Sequence, residues 1–281
     1  MRGGVNSATQ QSVLRLGKID FFNTLPFFYS RDPENLQGDI SFVKGFPQEI
    51  NEKMLRRDVD MGLTSSFFYA LHPQDFLILP GLCIGAYGRS GSVTLYSLEP
   101  VDKLDGKTIA LSSKSLSAAM LLKILLKKRW GFSNRFQNSA LPPEEMLERF
   151  ETCLLIGDEA LFFRPEKAYA YDLSESWFEW TGSPFCFALW TVRRDYFEQN
   201  TFQVRSVHEW LIQNLGRNLA DLEIMISGHK IPPARKTLVT VYLKRLEYRL
   251  TPDMQQGLRL FFKQAADCRL ISANVPLNFV D

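Results

Sequence analysis

A chain of 281 residues with 45% apolar residues can bury a sizeable core and divide into two domains or lobes. Its formal net charge of +2, without a basic stripe, argues against nucleic acid as the main partner. Four scattered cysteines form no CxxC pair and three histidines show no HExxH spacing, so no zinc site is expected and the thiols read as buried and free.

Residues 1–12 read as a loose polar tail without the apolar core of a signal peptide. No apolar run is long enough to span a bilayer, and the expectation is a cytoplasmic protein without a membrane partner. Val13–Phe22 alternates weakly and predicts a first strand. Asn23-Thr24-Leu25-Pro26 breaks it, with Asn23 or Thr24 as the cap of a helix that Pro26 opens. Ile40–Val43 predicts a strand, Pro47–Arg56 a helix, Val59–Leu63 a strand and Phe67–Leu71 a helix. Phe76–Leu79 and Leu82–Ala86 are short apolar runs split by Pro80-Gly81. Tyr87–Gly91 is a turn-rich hinge candidate, and Ser92–Leu98 reads as a clean strand.

Lys107–Leu111 predicts another strand and Ala118–Arg129 a helix whose last turn carries Lys127, Lys128 and Arg129. Between them lies a loop with four serines, among them Ser113, Ser115 and Ser117. Gln137–Ala140, Cys153–Ile156, Ala168–Tyr171 and Cys186–Val192 read as strands. Pro142–Phe150 and Glu159–Phe163 read as helices. Beyond Arg193 the pattern is helical, over Asp195–Ser227, Ala234–Arg249 and Pro252–Cys268.

Phe22-Asn23-Thr24, Thr64-Ser65-Ser66 and the Ser112–Ser117 loop share one design: a strand, small polar side chains, then a helix start. Each such hydroxyl or amide reads locally as a helix cap. Three of them in strand–helix alternation also suggest one anion-binding edge, at the carboxyl ends of parallel α/β strands. A chain that begins α/β and ends in helices can fold back on its first part. Crossings near Arg89–Tyr96 and Phe187–Val192 then give a two-lobed arrangement resembling the type II periplasmic-binding-protein fold. Lobe 1 takes 13–91 and 191–281, lobe 2 takes 92–190, and a ligand cleft lies between them.

Longer segments carry a more specific likeness. IDFFNTLPFF, VDMGLTSSFFYAL, LPGLCIGAYG, GSVTLYS, LDGKTIALSSKSLSAAMLL, LLIGDEAL and YDLSESWFEWTGSPFCFALWTV, in that order, resemble the chorismate dehydratase family of the futalosine route to menaquinone. The resemblance implies a cytosolic hydro-lyase that takes chorismate to 3-[(1-carboxyvinyl)oxy]benzoate and water without a cofactor. It leaves monomer and homodimer open. It implies catalytic roles for Asn23, of the NxxP motif, and Ser92, at the start of the interlobe strand. It implies substrate-binding roles for Thr24, Ser65, Ser66, Ser113, Ser115, Ser117, Gly157 and Asp158. Asp158 alone reads first as an N-cap. The family often carries an arginine where this chain has Leu116. None of the three histidines falls in a matching segment that faces the cleft, and the resemblance implies that the substrate's own enolpyruvyl carboxylate takes the proton. The competing expectation is a binding or sensing protein that uses the same cleft without chemistry. A related naphthoate-forming enzyme fits the NxxP and SSF segments less well.

Overall fold

The computed structural model describes residues 13–29, 39–114, 116–229, 231–272 and 274–281. Its strands are β1 (Leu14–Ile19), β2 (Ile40–Gly45), β3 (Met61–Ser65), β4 (Phe76–Ala86), β5 (Val93–Ser97), β6 (Thr108–Ser112), β7 (Arg135–Ser139), β8 (Thr152–Ile156), β9 (Tyr169–Asp172), β10 (Phe185–Arg193) and β11 (Leu246–Glu247). They form two sheets, ordered β11-β4-β10-β3-β1-β2 and β7-β6-β8-β5-β9. β3, β5 and β8 are buried along their whole length, as interior strands covered on both faces must be.

Each sheet has a parallel part built from strand–helix alternation. β1 pairs in parallel with β2 and β3, and β6 with β7 and β8. β10 runs antiparallel to β3 and β4, and β5 antiparallel to β8 and β9. The sheets are therefore mixed, where alternation alone predicted parallel strands. The two apolar runs around Pro80-Gly81 are one strand, β4, which carries both exposed residues with Gly81 at φ +76°.

The chain passes from the first sheet to the second between Ala86 and Val93, close to the expected crossing. It returns earlier than expected. β10 starts at Phe185 and belongs to the first sheet, so the return lies in the segment between Asp172 and Phe185 that contains the helix Leu173–Thr181. Asp172 holds both crossings. Its carboxylate accepts from the Ser90 N–H and hydroxyl, from the Gly91 N–H at 2.6 Å, and from the Ser174 and Glu175 N–H groups. One buried anion thus ties the hinge just before Ser92 to the helix start after β9.

The expected long helix Asp195–Ser227 is three helices, Arg194–Gln199, Thr201–Ala220 and Leu222–Gly228. They part at Asn200 and Asp221, which leave helical backbone geometry. The expected helix Ala234–Arg249 ends at Arg245, because Leu246–Glu247 leaves it to pair with β4 as an edge strand. The last helix, Pro252–Asp267, packs on β10 and also on the helices Ser66–Leu71 and Leu116–Ile124. Phe261 meets the rings of Phe67, Trp177 and Phe185, so this apolar face packs on the first sheet and on the helix Leu173–Thr181 that returns from the second. All four cysteines are free and buried. No helix among the described residues is long and apolar enough to cross a membrane.

Candidate active site

The polar strand ends converge where the sheets meet. The chain leaves β1 through a short 3-10 turn, Phe22–Thr24, and continues into the helix Leu25–Phe28. Neither Asn23 nor Thr24 caps that helix with its side chain. The Thr24 hydroxyl instead donates back to the carbonyls of Ile19, at 2.6 Å, and Phe21, which locks the turn onto β1. Asn23 is left free of the capping role that its position suggested.

From the second sheet, Ser92 and Gly157 face this turn. The Gly157 N–H donates to the Ser92 carbonyl at 2.7 Å and extends the β5–β8 ladder by one bond. Gly157 has φ +61°, and a Cβ there would lie 2.8 Å from the Phe21 ring. Glycine is required on both counts: the left-handed backbone and the close approach of an aromatic wall.

Asn23, Thr24, Ser65, Ser92 and Gly157 line one pocket of about 70 Å³, closed by apolar side chains that include Phe21, Ile84 and Phe187. Every lining residue is uncharged. The Ser92 hydroxyl accepts from the Tyr242 phenol at 3.0 Å. Tyr242 comes from the helix Pro233–Arg245 and is 1% exposed; burial pushes its pKa above the ordinary phenol range, so it stays protonated. The Asn23 side chain lies beside the same phenol. Its Oδ1 is buried and has no partner among the described residues. An unpaired buried amide oxygen costs about 1–3 kcal/mol, and a ligand donor would remove that cost.

Ser66, Ser113, Ser117 and Asp158 do not line this pocket. Ser65 lines it, but its Oγ is the N-cap of the helix Ser66–Leu71, accepting from the Phe68 N–H at 3.2 Å. Asn51 holds it further, taking the Ser65 N–H on Oδ1. Ser66 and Ser117 bond to each other at 3.1 Å across the two parts of the molecule, and the Phe67 N–H donates to Ser117 Oγ. Both serines are buried, and they serve as a latch between the helices Ser66–Leu71 and Leu116–Ile124. Ser113 is exposed, and Ser115 lies outside the described residues. Lys114 pairs with Glu159 at 2.5 Å and lies over the Phe46 ring, and Arg89 is exposed, so neither stands in the pocket as a replacement for the arginine missing at Leu116.

Trp190 is core, packed on Phe27 and Phe28, and Phe187 is the aromatic residue of β10 that lines the pocket. The His208 Nε2–H donates to the Pro80 carbonyl at 2.8 Å, and His72 lies beside Asp75. Among the described residues no group of three or more His, Cys, Asp or Glu side chains is placed to hold a metal ion.

Asp158 faces the back of the turn. Its Oδ1 accepts from the Phe22 N–H at 3.2 Å and so orders the segment that carries Asn23. Burial pushes its carboxyl up to about 6, with the Phe22 bond opposing the shift. The unfolded carboxyl titrates near 3.9, so the folded chain holds this proton more tightly. The resulting stability is full below roughly pH 4 and is lost as pH rises through about 6. Asp158→Asn keeps an oxygen for the Phe22 N–H and removes the buried charge. Thermal melts should show it roughly 3–6 °C more stable than wild type near pH 8 and equal to wild type near pH 4.

Comparison with known proteins agrees with the motifs. A model of the family described as menaquinone biosynthesis matches residues 14–267. The chain belongs to that family. It is 30% identical over 234 residues to a chorismate dehydratase of Thermus thermophilus, an alignment that covers 76% of this chain and 83% of the relative. Among solved structures, an Archaeoglobus fulgidus protein superposes with a TM-score of 0.70 at 17% identity, covering 92% of this chain and 98% of the other. The periplasmic aliphatic sulphonate binding protein SsuA of Escherichia coli superposes at 0.64 and 14% identity, with 95% and 96% covered. A Candida albicans protein described as having the generic periplasmic binding protein fold gives 0.64 at 12%, with 94% and 92% covered. This menaquinone biosynthesis protein therefore has the two-lobed periplasmic-binding-protein fold expected for it, with the pocket at the junction of its lobes.

Proposed function

We propose that this protein dehydrates chorismate, removing the C3 proton and the C4 hydroxyl as water and leaving the aromatic 3-[(1-carboxyvinyl)oxy]benzoate. The reading is supported by the relative of that name and by the family. The observation that carries it is the pocket's polar end: Ser92 Oγ and an unpartnered Asn23 Oδ1, on opposite lobes, in uncharged and mostly apolar surroundings. A ring hydroxyl placed there accepts from Ser92 and donates to Asn23. Developing hydroxide at C4 is then met by an aimed donor, and one such donor is worth about 3 kcal/mol in comparable sites.

The C3 proton is acidified through the ring double bond conjugated to the ring carboxylate. Loss of the proton first, with charge spread toward that carboxylate, suits a pocket without a general base. The enolpyruvyl carboxylate, attached through oxygen to C3 itself, is the proton acceptor in this account. Asp158→Asn therefore retains turnover.

A pocket of about 70 Å³ is smaller than the ~150 Å³ that holds one benzene ring, so chorismate enters only when the lobes part. The Ser66–Ser117 bond, the Phe67 bond to Ser117, the Tyr242 bond to Ser92 and the Asp158 bond to Phe22 are among the contacts that opening must break. The test is incubation of the purified protein with chorismate, followed by chromatography and ultraviolet absorbance. The reading expects loss of chorismate matched by the aromatic product. Tight binding with chorismate recovered intact would instead mark a binding or sensing protein.

A further inference from the structure

We propose that Tyr242 is a positioning residue that sets Asn23 and Ser92 to receive a ligand hydroxyl and to refuse a carboxylate. The inference deepens the dehydratase reading and rests on it for the identity of that hydroxyl, the one lost from C4.

The argument is an inventory of protons. A phenol has one, and Tyr242 donates it to Ser92 Oγ at 3.0 Å. The phenol oxygen then has only lone pairs left for its second neighbour, Asn23. Asn23 must therefore turn its amide nitrogen to Tyr242, which points Oδ1 the other way. That oxygen is the one found buried and unpartnered at the pocket. Ser92, having accepted from Tyr242, keeps its own proton for a further acceptor.

The pocket thus meets a ligand with one acceptor and one donor side by side. A hydroxyl both donates and accepts, and satisfies the pair. A carboxylate only accepts, and its oxygens would face the lone pairs of Asn23 Oδ1. Both carboxylates of the substrate are then directed elsewhere. Without Tyr242 the amide is free to flip, and the distinction is lost. Tyr242 is 1% exposed and Ser92 4%, so water does not replace the phenol freely.

Tyr242→Phe keeps the ring and removes the one proton. Steady-state kinetics with chorismate are expected to show kcat lowered roughly ten- to a hundredfold. Calorimetric titration with 3-[(1-carboxyvinyl)oxy]benzoate, which lacks the hydroxyl, is expected to give a Kd within about twofold of wild type. A merely structural role would weaken product binding together with kcat, and that result, or an unchanged kcat, overturns the proposal. A second measurement needs neither turnover nor the variant. In nitrogen-15-labelled wild-type protein the Asn23 side-chain NH2 hydrogens are held by the phenol, and are expected to exchange slowly with solvent. Fast exchange overturns the assigned orientation. Slow exchange in a protein that leaves chorismate intact upholds the orientation and rejects the dehydratase reading alone.

Discussion

Ser92→Ala is expected to cut turnover of chorismate by about 10²–10³-fold, measured as kcat with substrate in excess. The serine is the hydroxyl donor at the pocket that comes from the second lobe, and its proton is not committed to any protein acceptor among the described residues. Alanine removes that donor and also leaves the Tyr242 phenol without the oxygen it donates to. The second effect costs stability, about 1–3 kcal/mol for a buried group left unpaired. The two losses are read separately, one from rates and one from denaturant unfolding. Asn23→Ala should act on the same step, since its amide serves the same ligand hydroxyl. Because the two residues work as a pair, the double variant should lose much less than the sum of the single losses.

Gly157→Ala is the second change with a large effect. The new methyl would lie 2.8 Å from the Phe21 ring, and the residue would be held at φ +61°. A left-handed non-glycine residue and an overpacked contact together cost about 2–4 kcal/mol, which denaturant unfolding will show as a lower midpoint at unchanged slope. Phe21 cannot yield without moving the turn that carries Asn23, so turnover should fall with stability. Combining Gly157→Ala with Phe21→Ala removes the clash and leaves the backbone strain. The double variant should therefore recover part of the lost stability, a positive coupling in a double-mutant cycle.

Much of this site was legible because its parts are local. Strand ends followed by small polar residues can be read from periodicity, and Asn23, Thr24, Ser65, Ser92 and Gly157, which line the pocket, were named that way and by family likeness. What periodicity does not contain is which helix start faces which lobe. Ser66 and Ser117 have the right chemistry at helix starts, yet they satisfy each other across the junction. Asp158, read first as a cap, reaches 136 residues back to the Phe22 N–H.

Tyr242 carried no signal at all. It lies 150 residues from Ser92, in a helix whose apolar residues mark no single face, and only the fold brings the two together. The edge strand Leu246–Glu247 was hidden for a similar reason. Two residues show no alternation, and their strand character comes from pairing with β4. The return to the first sheet was misplaced because Phe185–Arg193 pairs with β3 and β4, a long-range choice that its apolar pattern does not reveal.

The account depends on a hydroxyl-bearing ring acid being held where Asn23 and Ser92 meet. A crystal structure of the protein with 3-[(1-carboxyvinyl)oxy]benzoate tests that most directly. The prediction is product between the two sheets, its ring against Phe21 and Phe187, with the ring carbon that lost the hydroxyl turned to Ser92 Oγ and Asn23 Oδ1. Product bound elsewhere, or bound there with a carboxylate on Asn23 Oδ1, would contradict it.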